Sequence, residues 1–139
     1  MICYFDTSAF IKLVLVEAGS GEVAALWDEA GRIVASTILY PEGRAALARA
    51  RVMKRLDRAA FGRARQDLEA RWDDLHEVAV GTALMRRAGD IAEDLSLRGF
   101  DAVHLASAEA ITDRDLVLVT ADRSLSSAGE QLGLTIAGV

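Results

Sequence analysis

Four carboxylates stand where an apolar run or a turn gives way to a helical pattern: Asp6, Glu42, Asp101 and Asp122. Asp6 closes the run Ile2-Cys3-Tyr4-Phe5 and is followed by Thr7-Ser8 and a helix whose apolar positions are Ala9, Phe10, Leu13, Val14 and Val16. Asp122 follows the strongest strand pattern, Leu116-Val117-Leu118-Val119, across Thr120-Ala121. Glu42 falls in the first turn of the helix after a second strand, and Asp101 opens a helix after Gly99-Phe100. Taken singly, each acid is accounted for as a helix cap or a favourable charge at a helix N-terminus. Taken together they form a set, because in a parallel sheet the helix starts that follow strands share one edge. Anions crowded into one cleft repel, so they need a cation or a proton. A small cluster of oxygen-only donors suits Mg²⁺, with Mn²⁺ as its substitute. No Cys or Ser nucleophile is evident, which leaves metal-assisted hydrolysis of a phosphodiester as the chemistry of such a set. His104 lies three residues after Asp101, where it is either a ligand or proton shuttle, or a packed and hydrogen-bonded histidine.

The elements that must position these acids alternate. Strands are expected near Ile2–Phe5, Arg32–Ala35, His76–Ala79, Leu116–Val119 and Leu134–Ala137. Helices are expected after Ser8, from Glu22 to Glu29, Leu39 to Lys54, Leu56 to Asp73, Thr82 to Leu97, after Phe100, and from Asp122 to Leu132. Thr7 or Ser8 would cap the first helix and Ser36-Thr37 the third. Pro41 fits a first turn, where its missing N–H is not needed. Gly99 would stop the Thr82–Leu97 helix. The alternation implies an α/β fold with helices on both faces of a parallel sheet. The 139 residues are the size of one domain, 1–139, with no repeat or linker.

Composition narrows the classes. At 52% hydrophobic and 27% charged, the chain can bury a core and stay soluble, and no apolar run is long enough to span a bilayer. The lone Cys3 makes no internal disulfide and reads as a buried hydrophobe; with no signal peptide evident, a cytoplasmic location is expected. The net charge of −5 argues against coating nucleic acid by charge alone. Yet nine of the 16 basic residues, and only three of the 21 acids, lie between Arg44 and Arg71. That segment is either a solvated helix face or a surface that meets a polyanion. Arg44, Arg49, Arg51 and Arg55 are its candidate contacts to RNA or to a protein partner.

Asp6-Thr7-Ser8-Ala9, Tyr40-Pro41-Glu42, Asp101-Ala102-Val103-His104-Leu105-Ala106 and Thr120-Ala121-Asp122-Arg123 resemble, in order and spacing, the acidic motifs of PIN-domain ribonucleases, above all the VapC-type toxins of toxin–antitoxin pairs. The resemblance spans essentially the whole chain. It implies a three-layer α/β/α PIN-like fold around a parallel sheet of four to five strands. It also implies a Mg²⁺- or Mn²⁺-dependent endoribonuclease, usually a homodimer, restrained by a small cognate antitoxin. Asp6, Glu42, Asp101 and Asp122 carry over as the catalytic, metal-binding acids: Asp6, Asp101 and Asp122 hold the metal, and Glu42 holds it or orients its water. Ser8 and Thr120 match helper positions. Two other readings remain open. A non-catalytic RNA-binding adaptor should have lost an acid, and all four are present. A Mg²⁺-binding phosphoacceptor domain should carry a lysine after a late strand, and the only lysines are Lys12 and Lys54.

Overall fold

A computed structural model describes all residues 1–139. Five strands form one all-parallel sheet: β1 (Ile2–Phe5), β2 (Arg32–Ser36), β3 (His76–Val78), β4 (Leu116–Thr120) and β5 (Thr135–Gly138). Their order across the sheet is β3-β2-β1-β4-β5. The chain builds outward from β1 to β3, then crosses to the other side for β4 and β5. The direction of winding therefore reverses between β1 and β4, and the carboxyl ends of those two strands open a crevice. Their register pairs Phe5 with Val119, so the next residues, Asp6 and Thr120, emerge side by side.

Seven helices cover the two faces: α1 (Thr7–Val14), α2 (Ser20–Glu29), α3 (Leu39–Val52), α4 (Arg58–Asp74), α5 (Thr82–Leu95), α6 (Gly99–Glu109) and α7 (Arg123–Gln131). Successive side chains of a strand point to opposite faces, and the core divides accordingly. Cys3 and Phe5 of β1 pack with Ala35, Val119 and buried residues of α1 to α4, among them Phe10, Trp27, Leu47 and Leu68. Tyr4 packs on the other face with Val34, Leu118 and buried residues of α5, α6 and α7, among them Ile91, Leu105 and Leu125. The result is the expected three-layer α/β/α arrangement. Helix α6 is buried continuously from Ala102 to Ala108, and its small residues let it lie close against the sheet and α5. Arg87 of α5 ties its far end through two 2.7 Å bonds to Glu109.

Three local expectations change. The cap of α1 is Asp6, whose Oδ1 accepts the Ala9 N–H at 2.9 Å; Thr7 and Ser8 are already inside the helix, with their hydroxyls turned to carboxylates. Helix α3 begins after Ile38 with no side-chain cap; Ser36 Oγ only accepts the Ile38 N–H, at 3.4 Å. Helix α5 closes at Ser96, which takes the left-handed conformation usual for a glycine stop (φ 53°), while Gly99 is the first residue of α6.

The turn into α2 places Gly19 at φ +88°, in left-handed backbone, where an added Cβ would lie in tight contact, 3.1 Å from the Val139 carbonyl carbon. Gly19→Ala should cost about 1–2 kcal/mol, the penalty of placing a side chain in left-handed backbone, with an unchanged m-value in a denaturant titration. A midpoint equal to that of the parent would show that this turn relaxes freely.

Candidate active site

Asp6 is the last residue before α1 and is almost fully buried at the β1–β4 crevice. A buried carboxylate without partners is costly, and Asp6 has several. Its Oδ2 accepts the Thr120 hydroxyl at 2.8 Å, and the Ser8 hydroxyl lies 2.8 Å from both of its oxygens. Ser8 and Thr120 are themselves held: Ser8 Oγ accepts the Ala121 N–H at 2.9 Å, and Thr120 Oγ1 accepts the Asp122 N–H at 3.0 Å. These hydroxyls thus stitch the end of β1 to the turn after β4. Burial pushes the Asp6 carboxyl up, and the nearby His104, the Ala9 N–H, Thr120 and Ser8 only partly offset it.

Asp122 caps α7, its Oδ1 accepting the Ser124 and Leu125 N–H groups at 2.8 and 3.0 Å. Its other oxygen turns to Arg98, whose Nη2 donates to it at 3.0 Å. The same guanidinium donates from Nε to Oδ2 of Asp101 at 2.7 Å. Arg98 therefore bridges the two aspartates from a position 79% exposed to solvent. The two acids that would repel one another are neutralised by a cation from the chain itself.

Glu42 projects from the first turn of α3. Its Oε1 accepts the Thr7 hydroxyl at 2.7 Å and lies 2.6 Å from Nε2 of His104. Burial pushes the Glu42 carboxyl up, but the His104 hydrogen bond and charge, then Thr7 and Arg98, outweigh it and leave the group below the ordinary glutamate range. Behind the imidazole, the Tyr4 hydroxyl lies 2.9 Å from Nδ1. His104 is thus packed, 2% exposed, with both ring nitrogens occupied.

Glu42, Arg98 and Asp101 also line one wall of an open cavity of about 590 Å³, whose other walls are apolar residues of α5 and α6, including Met85 and Phe100. The four acids gather at this one edge of the sheet, but their side chains are apportioned among internal partners. No three Asp, Glu, His or Cys groups converge closely enough to hold a metal as they stand. The donor set still fits a hard divalent cation: it offers carboxylate and hydroxyl oxygens alone, and one positive charge already bridges two of the acids. The candidate arginines are placed differently. Arg44 pairs with Glu69 at 3.1 Å and donates to the Tyr40 hydroxyl; Arg51 stacks over Phe61; Arg55 reaches Glu17 at 3.4 Å. Arg49 lies seven residues beyond Glu42 on α3, about 10 Å along the axis. Sequence reasoning missed Arg98, Tyr4 and Thr7. Arg98 carried a signal: it stands three residues before Asp101, the spacing at which a cap side chain and one in the first turn of a helix meet. Tyr4 carried only the weak one of a polar tip in an apolar strand.

Comparison with known proteins matches the PIN domain over residues 3–131. The chain is 40% identical to ribonuclease VapC45 of Mycobacterium tuberculosis over 136 residues, covering 98% of this chain and 94% of that protein. Among solved structures it superposes on Mycobacterium tuberculosis VapC20, a sarcin–ricin loop cleaving toxin, with TM-score 0.71 at 20% identity, covering 91% of this chain and 95% of that one. It superposes on VapBC2 of Rickettsia felis, bound to a DNA fragment from its promoter, with TM-score 0.67 at 13% identity, covering 99% and 98%. The fold, the ordered acids at its switch point and a relative matched over nearly its whole length agree: the chain belongs to the PIN-domain family.

Proposed function

We propose that the protein is a cytoplasmic endoribonuclease, the toxin of a toxin–antitoxin pair, built as a single PIN-like domain over residues 1–139. The observation that carries this reading is the cation bridge at the crevice. Asp101 and Asp122 share a guanidinium beside the buried Asp6, so the edge already favours positive charge between its acids. The 40% identity to a ribonuclease over 98% of the chain supports the substrate class.

Asp6, Asp101 and Asp122 would hold Mg²⁺, with Mn²⁺ as its substitute, and Glu42 would hold it too or orient its water. The metal supplies an activated water and charge stabilisation for the leaving oxygen. Hydrolysis joins a water oxygen to phosphorus and breaks one P–O ester bond. The chain's own part is positional. Thr120 and Ser8 fix Asp6 in one orientation, and the α7 cap does the same for Asp122. Thr7 and His104 hold Glu42. The remaining partners are a small cognate antitoxin and a second copy of the chain in a homodimer. Arg44, already paired with Glu69, and Arg49, Arg51 and Arg55 further along α3 and past its end, would meet the antitoxin rather than the phosphates at the reacting centre.

Asp6→Asn tests the site directly. It keeps an acceptor for the Ala9 N–H but removes the charge, and should lower RNA cleavage in Mn²⁺ at least about 100-fold. RNA binding, measured by filter retention, should stay within about threefold. Cleavage at the parental rate by freshly purified variant would overturn the assignment.

The same variant has a signature in melting curves recorded in chelator. The folded chain holds the Asp6 proton above the unfolded value, so Asp6 contributes stability that is fully present below the ordinary aspartate range. That contribution is lost as pH rises through the raised value. Glu42, held below its ordinary range, has the opposite sign: its contribution is present at neutral pH and lost only in stronger acid. Asp6→Asn should therefore melt progressively above the parent as pH rises from 4 to 7. Parallel melting curves across that range would mean that burial leaves Asp6 unperturbed.

Neutralising the arginines separates their partners. With Arg49 and Arg55 both changed to Gln in the Asp6→Asn background, the salt dependence of RNA binding should keep its slope, because no phosphate contact is lost. Antitoxin binding should weaken. A flatter slope would move these arginines to the RNA.

A further inference from the structure

His104 is buried and ionisable, and it enters the site only through Glu42. It sits in a chain of hydrogen bonds crossing from the sheet to the cleft: Tyr4 Oη to Nδ1 at 2.9 Å, then Nε2 to Glu42 Oε1 at 2.6 Å. The ends differ in kind. Tyr4 is on the central strand, fully buried, and its ring meets the imidazole edge-on with centroids 6.1 Å apart. Glu42 is half-exposed at the cavity wall. The order of donors follows from chemistry. Burial keeps the Tyr4 phenol protonated, and its hydroxyl lies within hydrogen-bond reach of Nδ1. Glu42 is held below the ordinary glutamate range, and an ionised carboxylate only accepts, so Nε2 is the donor that faces Oε1. Thr7, from the start of α1, donates to the same oxygen at 2.7 Å. Oε1 thus receives two donors from inside the protein, whereas no side chain or backbone N–H donates to Oε2.

We infer that His104 is a positioning residue: held by Tyr4, it fastens Oε1 of Glu42 and leaves Oε2 as the oxygen that faces the cleft and meets the divalent cation or its bound water. The inference rests on the reading of Glu42 as part of the metal-binding set. It gives distinct work to two residues three apart on α6, because Asp101 meets the cation bridge directly and His104 acts through a third side chain. It also accounts for an imidazole so deep in a helix whose neighbours are alanine, valine, leucine and serine. A freely rotating glutamate would lose side-chain freedom each time it bound a metal, and the fastened one has already lost it. Partners of this kind are worth about 10–100-fold in metal affinity or activity.

The test compares His104→Leu, His104→Gln, Tyr4→Phe and Glu42→Gln. For each, Mn²⁺ affinity of the RNA-free protein is measured by calorimetry, with RNA cleavage followed separately. His104→Leu removes the donor and should weaken Mn²⁺ binding about tenfold, with kcat reduced and KM for RNA unchanged. His104→Gln places an amide N–H near the Nε2 position and should restore most of the loss. Tyr4→Phe keeps the ring volume and frees Nδ1, and should weaken Mn²⁺ binding about threefold. If His104→Leu does not fold, Tyr4→Phe and His104→Gln decide the matter. Parental Mn²⁺ affinity in Tyr4→Phe, or losses in His104→Gln as large as those in Glu42→Gln, would overturn the positioning role. Parental affinity and turnover in Glu42→Gln itself would instead remove Glu42 from the metal set, and the proposal with it.

Discussion

The cost of burying one carboxylate shapes this molecule's functional edge. Asp6 follows the central strand into the crevice, and its desolvation is partly compensated by three donors: one backbone N–H and two hydroxyls. Each donor comes from a different structural commitment. The Ala9 N–H exists only if α1 starts immediately after β1. The Thr120 hydroxyl is in reach only if β4 pairs with β1 in the observed register. The Ser8 hydroxyl is oriented only if it also accepts the Ala121 N–H from the turn after β4. Capping, strand pairing and loop closure thus meet at the same residue to which the proposed function gives the metal.

The two faces of the sheet divide the labour. On the face covered by α1 to α4, large apolar residues such as Phe5, Phe10, Trp27 and Leu68 supply bulk, with Phe5 and Trp27 packed edge to face at 5.3 Å. On the face covered by α5 to α7, the packing is built from small residues of α6, and the polar chain Tyr4–His104–Glu42 runs through it. A buried polar chain is stable only when every member is satisfied. Here no buried side-chain polar atom lacks a partner. Both faces bury large apolar residues, and it is the α5 to α7 face that carries the line of donors to the cleft.

Much of this was legible in the sequence, for identifiable reasons. Strands β1 and β4 announce themselves as apolar runs that stop at an acid, and the alternation with helices fixes the parallel sheet. The acids at helix starts follow from that alternation alone. The boundaries that misread were those decided by a single hydrogen bond. Asp6 rather than Thr7 or Ser8 caps α1 because its side chain reaches the Ala9 N–H, and no one-dimensional pattern distinguishes three adjacent capping types. Ser96 rather than Gly99 closes α5, taking the left-handed conformation while Leu95 and Leu97 on either side pack against the core. The long-range side-chain pairings were out of reach: Arg98 with Asp122, 24 residues away, and Tyr4 with a histidine 100 residues on, depend on the finished topology.

Arg98 gives Asp101 and Asp122 a tethered counter-ion. Its guanidinium hangs from an exposed stem, so it leaves with little loss of packing, and it occupies oxygens that an incoming cation would claim. If the two aspartates take a divalent cation, as the proposed function has it, uptake at this corner is an exchange, in which a cation linked to the backbone is released into water and one from solution takes its place. The corner would then change its net charge by one unit less than simple addition would produce. Occupancy would respond to the concentration of divalent ions against a competitor whose own local concentration is fixed by the chain, and which dilution cannot remove.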